Sequence, residues 1–252
     1  MHRYFIRLAY NGRDFHGWQQ QDNAPSVQGA ITGALSMILS EKISLVGCGR
    51  TDTGVHAREF FAHFELPLQV SQSDLDHLAF RLNRFLPASI VIFWIREVDP
   101  GLHARFSALS RTYRYYIHTF KDPFLEETSW YVHDLLDHER MEEGCKMLLA
   151  TSDFTSFSKL HSAAKTNICH LTEAAWTRDG SRLVFTVTAD RFLRNMVRAM
   201  VGTLVDLGKG KITIEDLKAI IEAKDRSDAG QSVPAHGLFL EKIIYPKGQL
   251  NF

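Results

Sequence analysis

Two short apolar runs, Ile43-Ser44-Leu45-Val46 and Arg58-Glu59-Phe60-Phe61-Ala62-His63-Phe64, flank the glycine-bearing loop Gly47-Cys48-Gly49-Arg50-Thr51-Asp52-Thr53-Gly54-Val55-His56-Ala57. Each run has the length and composition of a strand, and the loop between them carries the residues that permit tight turns. Working outward, Arg3 to Tyr10 alternates with Tyr4, Ile6 and Leu8 on one face, as a strand does. A polar loop from Asn11 to Pro25 follows. Ser26 is placed to cap a helix in which Val27, Ala30, Ile31, Ala34, Leu35 and Ile38 recur at helical spacing. Beyond the second run, Asp74 to Phe85 reads as a helix ended by Pro87, and Ile90 to Val98 as a strand. The order is β-α-β-β-α-β, the ferredoxin-like arrangement.

The second half repeats the pattern. Thr112 to Thr119 is a strand, Glu139 to Ala150 a helix, and Ile168–Arg178 with Arg182–Ala189 a hairpin about Asp179-Gly180. Phe192 to Leu207 reads as a long amphipathic helix stopped by Gly208, with a buried stripe of Phe192, Met196, Met200 and Leu204. An inserted helix near 214–224 precedes a last strand at 238–245. The expected fold is therefore α+β, in two units: 1–105, with the loop 47–57, and 106–252. The best boundary signal is Asp99-Pro100-Gly101.

The 252 residues are 45% hydrophobic and 23% charged, which excludes a disordered chain. No apolar run approaches a membrane span, and the N-terminus has no signal-peptide core. Three cysteines, Cys48, Cys145 and Cys169, are widely spaced and form no C-x-x-C pair, as expected of reduced thiols in a cytoplasmic protein. The histidines, His161 and His170 among them, lack metal-ligand spacing, so no metal and no cofactor is expected. Lys plus Arg and Asp plus Glu both total 29, so a nucleic-acid partner requires a local basic face. Pro100 to Lys121 supplies one candidate, with Arg105, Arg111, Arg114 and Lys121 and no acid.

Asp52 is the only acid between Glu41 and Glu59, and Arg50 lies two residues away. A carboxylate near guanidinium groups stays ionised, as a nucleophile or base requires. The plain structural reading is an Asx-type turn, and loop composition alone leaves both open. Asp52-Thr53-Gly54 also spells the aspartic-protease triplet. That chemistry needs a second carboxylate sharing a proton, and the nearest match, Asp228-Ala229-Gly230, lacks the hydroxyl.

Gly49-Arg50-Thr51-Asp52-Thr53-Gly54-Val55-His56 resembles the catalytic loop of the tRNA pseudouridine synthase A family. The likeness extends through Tyr10–Gln20, His103–Ala108, Arg111–Tyr115, Asp153–Phe157 and Phe192–Arg198, six ordered blocks along nearly the whole chain. It implies two ferredoxin-like halves whose antiparallel sheets join over a basic cleft. It also implies isomerisation of uridine to pseudouridine at tRNA positions 38, 39 and 40, in the anticodon stem-loop. Asp52 is then the catalytic nucleophile, Arg198 its ion-pair partner and Tyr113 the contact to the target base. A base must be flipped from its stack to be reached, and an aromatic ring such as Tyr113 gives it a stacking surface. Arg191, Arg194 and Arg198, three and four apart, are expected along one helix face. Arg50 and Arg58 are expected to grip RNA phosphates or hold the loop, and Arg105 and Arg111 to grip RNA. The first loop, with Arg13, His16, Trp18 and Gln19, is suited to RNA contact, and Trp18 equally fits a core position. The resemblance further implies a homodimer with one tRNA touching both subunits. Thr53 stands where many members have Ala or Ser, and the 159–165 segment matches the family poorly. The alternative is a non-catalytic RNA-binding relative of the same fold.

Overall fold

The computed structural model describes residues 1–159 and 166–250. Most of the 159–165 segment, His161 included, thus lies outside the described residues. The chain is a mixed α and β protein with mostly antiparallel strand pairing, and it divides into two compact units.

The first unit runs from Met1 to Leu109 and takes in the chain from Leu240 onward. Its elements are β1 (His2–Tyr10), α1 (Val27–Leu39), β2 (Val46–Gly47), β3 (His56–Leu66), α2 (Gln72–Phe85), β4 (Ile90–Val98) and most of β9 (Leu238–Ile244). β1 lies between β4 and β3, antiparallel to both, and β9 follows β3. The register sets Tyr4 opposite Phe64, Ile6 opposite Ala62 and Leu8 opposite Phe60, so these alternate residues share one sheet face. All six are buried, as are Val27, Ile31, Ala34 and Leu35 of α1 and Leu75, Leu78 and Leu82 of α2. Each large side chain so placed contributes about 1.5–3 kcal/mol. Ser26 caps α1 by accepting from Gly29 N–H, as the sequence predicts, and Ser71 caps α2 in the same way.

The expected strand at 43–46 contracts to Val46–Gly47. Ile43 N–H donates to Ser36 Oγ and Leu45 C=O accepts from Gln28 Nε2, so helix side chains take the groups a ladder would use. The chain from Leu240 on, expected in the second half, returns to the first unit. Leu109 N–H bonds Ile244 C=O, Ile243 N–H bonds Glu59 Oε1, and the Tyr245 hydroxyl reaches Ala104 C=O. The division itself falls after Leu109 rather than after 105.

The second unit spans Ser110–Phe239. β5 (Ser110–His118), β8 (Arg182–Ala189) and β7 (Leu171–Asp179) are antiparallel neighbours in that order, with β6 (Trp130–Tyr131) pairing parallel to β5. α3 (His138–Leu149) packs on β7, while α4 (Met196–Gly208) and α5 (Ile214–Ala223) pack on α3. α4 is the core helix, with Met196, Met200 and Leu204 fully buried. Thr213 and Asp216 form a reciprocal capping box that starts α5.

The helix expected from Phe192 begins only at Met196, because Asn195 takes a left-handed conformation (φ 66°). Arg194 C=O accepts from Lys159 N–H and the Asn195 amide bonds Ser232 Oγ, so this stretch is spent on other segments. Arg191 and Arg194 therefore precede the helix, and the shared face with Arg198 does not form. Among the described residues no helix is long and apolar enough to cross a membrane. None of their His, Cys, Asp and Glu groups is clustered to hold a metal ion.

Candidate active site

The loop between β2 and β3 closes at Asp52 through a tight turn, in which Val55 N–H bonds Asp52 C=O at 3.1 Å. Its neighbours on both sides are buried. The Thr51 hydroxyl lies 2.9 Å from the Tyr10 hydroxyl, and Val55 is only 1% exposed. Asp52 between them is half-buried and Thr53 is exposed. The turn is thus anchored at its shoulders, with Asp52 half-buried between them.

The Asn11–Pro25 loop supplies much of that anchoring. Trp18 N–H donates to Thr51 C=O, Gly54 N–H to Phe15 C=O, and Gly12 N–H to His56 Nδ1. Gly17 has φ +88°, and a Cβ there would stand 2.3 Å from Thr51 C=O. Any other residue would force the two loops apart. Of the three glycines expected to shape the catalytic loop, Gly54 takes a positive φ, whereas Gly47 lets the Trp18 indole approach.

Trp18 is 1% exposed and stacked on Phe60 with centroids 4.0 Å apart. Of its two expected roles the indole takes the core one, and it braces the loop from beneath. Gln19 is half-buried, and its Oε1 accepts from Arg50 Nε at 3.0 Å. Arg50 itself is exposed. Arg58, exposed on β3, faces Glu241 at 3.4 Å. Arg13 and His16 are exposed in the first loop.

Arg105 sits on a turn held by two histidines. His103 Nδ1 accepts from the N–H groups of Arg105 and Phe106, and His63 Nδ1 accepts from Ala104 N–H. Burial, with help from His103 and Arg3, pushes the His63 pKa down to about 4. The ring is then neutral near pH 7, which keeps the accepting lone pair. The turn shows Arg105 and Phe106 outward, with the guanidinium 5.6 Å from the Phe106 ring centre.

In the second unit, Tyr113 pairs with Val187 in the β5–β8 ladder and is 9% exposed. Its ring meets Phe192 edge-on at 5.0 Å. Arg111 Nη1 donates to Asp190 C=O at 3.0 Å, so both residues converge on the 190–192 segment. Phe192, by its spacing a member of the buried helical stripe, is instead the ring partner of Tyr113, which no local sequence signal marks.

A different segment holds Arg198. From the first turn of α4 its Nε donates to Val233 C=O at 2.6 Å, while Val233 N–H donates back to Arg198 C=O. Next along that segment, Pro234 C=O accepts from the buried Tyr115 hydroxyl at 2.8 Å. Arg198 is half-buried and held by backbone.

The structure thus joins Arg50 to Gln19 two residues before Asp52, with Trp18 bonded to Thr51 in the same unit, and brings Arg111 and Tyr113 to the 190–192 segment in the other. Comparisons with known proteins bear on the whole chain. A family model described as tRNA pseudouridine synthase matches residues 145–246. A tRNA pseudouridine synthase A from Parabacteroides distasonis is 52% identical over 98% of this chain and 97% of its own length. Its namesake from Porphyromonas gingivalis is 51% identical over 98% of each. That from Bacteroides thetaiotaomicron is 48% identical over 98% of this chain and 92% of its own. At that identity and coverage, with the Asp52 loop inside the shared length, the chain belongs to the tRNA pseudouridine synthase A family.

Proposed function

We propose that this protein isomerises uridine to pseudouridine in the anticodon stem-loop of tRNA, at positions 38, 39 and 40, with Asp52 as nucleophile. In the reaction the bond from uracil N1 to the ribose C1′ breaks, the base rotates, and a bond from C5 to C1′ forms. N1 ends with a proton and C5 gives one up to water, so atoms balance with no redox partner and no cofactor. A carboxylate can act by adding to C6 of the base or by engaging C1′ of the ribose. Both routes need it ionised, accessible and fixed. The observation that carries the reading is the Asp52 turn, half-open between the buried shoulders Thr51 and Val55.

We read the remaining parts from the family likeness. Tyr113 contacts the flipped base, with Phe192 limiting its ring motion. Arg198 is the ion-pair partner of the catalytic carboxylate. Arg50, Arg58, Arg105 and Arg111 meet RNA phosphates, and Gln19 acts through Arg50. The same likeness extends the reading to two ferredoxin-like halves and to a cytoplasmic homodimer in which one tRNA touches both subunits.

Transfer RNA carrying tritium at C5 of uridine gives a direct test, because each turnover releases tritium to water. Asp52→Asn is expected to lose at least about a thousandfold in rate, the scale of removing a nucleophile, at an unchanged melting temperature. Full release by the Asn variant would refute the role of Asp52. Retained tRNA binding with no release by the wild type would favour the non-catalytic relative.

A further inference from the structure

Gln28 is the second residue of α1, outside the apolar stripe of that helix, yet it is the hub of a hydrogen-bond chain that ends at Arg50. Its Oε1 accepts from Gln19 Nε2 and from Gln20 N–H, both at 2.8 Å. Its Nε2 donates to Leu45 C=O at 2.7 Å. Gln19 Oε1 then accepts from Arg50 Nε at 3.0 Å.

The polarity of this chain is forced. A carbonyl such as that of Leu45 can only accept, and a backbone N–H such as that of Gln20 can only donate. These two fixed partners settle which end of the Gln28 amide is oxygen and which is nitrogen. Gln28 Oε1 in turn requires the nitrogen of Gln19, which turns the Gln19 oxygen toward Arg50. A guanidinium only donates, so that oxygen is the group it needs. Flipping either amide would set donor against donor.

We propose that Gln28 is a positioning residue for tRNA binding, which through Gln19 orients the Arg50 guanidinium beside the Asp52 turn. The inference rests on the phosphate role proposed for Arg50. With Nε committed to Gln19, the plane of the guanidinium is set and phosphate oxygens meet Nη1 and Nη2. A planar donor pair held in advance loses less side-chain freedom on binding than a swinging one. Leu45 belongs to the segment that leads into the catalytic loop, and Gln20 to the loop that packs against it. Gln28 therefore ties the orientation of Arg50 to the same two segments that fix Asp52.

The test is a double-mutant cycle read by tRNA binding and by tritium release, each across a range of salt. Gln28→Met and Gln19→Ala are each expected to raise KM about three- to tenfold, the scale of a lost charge-assisted hydrogen bond at a half-exposed site. Their kcat should stay within about twofold of wild type. Arg50→Ala should lower the slope of log affinity against log salt by about 0.7–0.9, one phosphate contact, and Gln28→Met should lower it in the same direction. The double variant Gln28→Met/Arg50→Ala should be no worse than Arg50→Ala, because both act through one contact. Additive losses, or a Gln28→Met effect confined to melting temperature with an unchanged salt slope, would overturn the proposal. Should Gln28→Met fail to fold, Gln19→Ala breaks the chain at its half-exposed link and carries the same cycle. Wild-type protein that binds tRNA without releasing tritium would refute the catalytic reading, and the binding cycle would still judge the positioning role.

Discussion

The Asp52 loop and the surroundings of Arg198 are both polar segments set against apolar cores, and opposite means hold them. Around Asp52 the two loops meet chiefly backbone to backbone, and that approach is made possible by missing side chains. A Cβ at Gly12 would stand 2.0 Å from Val55 C=O and one at Gly17 2.3 Å from Thr51 C=O, so their absence lets one loop lie on the other. Around Arg198 the contacts depend on long side chains that reach across to the backbone. Arg198 Nε holds Val233 C=O and the Tyr115 hydroxyl holds Pro234 C=O. The first kind of joint is rigid because it is closely packed, and it fails when the packing beneath it fails. The second is a set of discrete bonds, and each can be removed with limited damage.

The largest effect is expected where that packing is deepest. Trp18→Ala empties a fully buried site beneath the Asp52 loop and should cost about 3–5 kcal/mol, read as a fall in melting temperature. Tritium release should fall with it even well below the melting range, because the turn loses its floor. A variant that kept its melting temperature and lost only tRNA affinity would return Trp18 to the RNA-facing role expected from sequence, and would break the contrast between the two regions.

Tyr115→Phe probes the other kind of joint. It deletes one hydroxyl and leaves Pro234 C=O without that donor, with the ring and its packing retained. The expected cost is about 1–1.5 kcal/mol, and burial holds the phenol neutral, so no charge is lost with it. Release of tritium should fall a few-fold at most, with the Arg198–Val233 bond still in place. A loss as large as that of Trp18→Ala would mean that the 233–237 segment is packed as tightly as the Asp52 loop, which would erase the distinction.

How legible each region was in the sequence follows the same division. The strands and helices that hold the Asp52 loop announced themselves, since Ser26, Pro87 and the alternation in Tyr4, Ile6 and Leu8 are local signals for local structure. The loop was legible as a motif. Its packing was not, because nothing in Trp18 distinguishes an aromatic beneath a loop from one displayed to RNA until Phe60 is brought 4.0 Å away. Gln28 was silent for a related reason. A glutamine near a helix start looks solvated, and its partners Gln19, Gln20 and Leu45 meet only in the fold. At Phe192–Asn195 the helical period continued through residues that do not form a helix. Asn tolerates the left-handed conformation better than most non-glycine residues, and its taking it at 195 moved Arg191 and Arg194 off the helix. The path of the last strand was also beyond local reading, since its return to the first unit rests on contacts such as Tyr245 with Ala104, 141 positions apart.

The smallest effect on stability is expected at Arg58, and there the contrast can be sharpened rather than broken. Arg58 is exposed on β3 and meets Glu241 at 3.4 Å, a separation and exposure at which an ion pair contributes little. Arg58→Ala should therefore shift stability by no more than about 0.5 kcal/mol. If the residue grips a phosphate, its loss should lower the salt slope of tRNA binding by about 0.7–0.9, as for Arg50→Ala. The two arginines differ in what orients them: Arg50 is held by the amide chain from Gln28, whereas Arg58 faces a carboxylate that competes with RNA for the same donors. Glu241→Gln should accordingly tighten binding through Arg58 and leave the Arg50 decrement unchanged. Equal responses of both arginines to Glu241→Gln would show a general field rather than separate contacts, and the orienting chain at Arg50 would then confer no distinct behaviour.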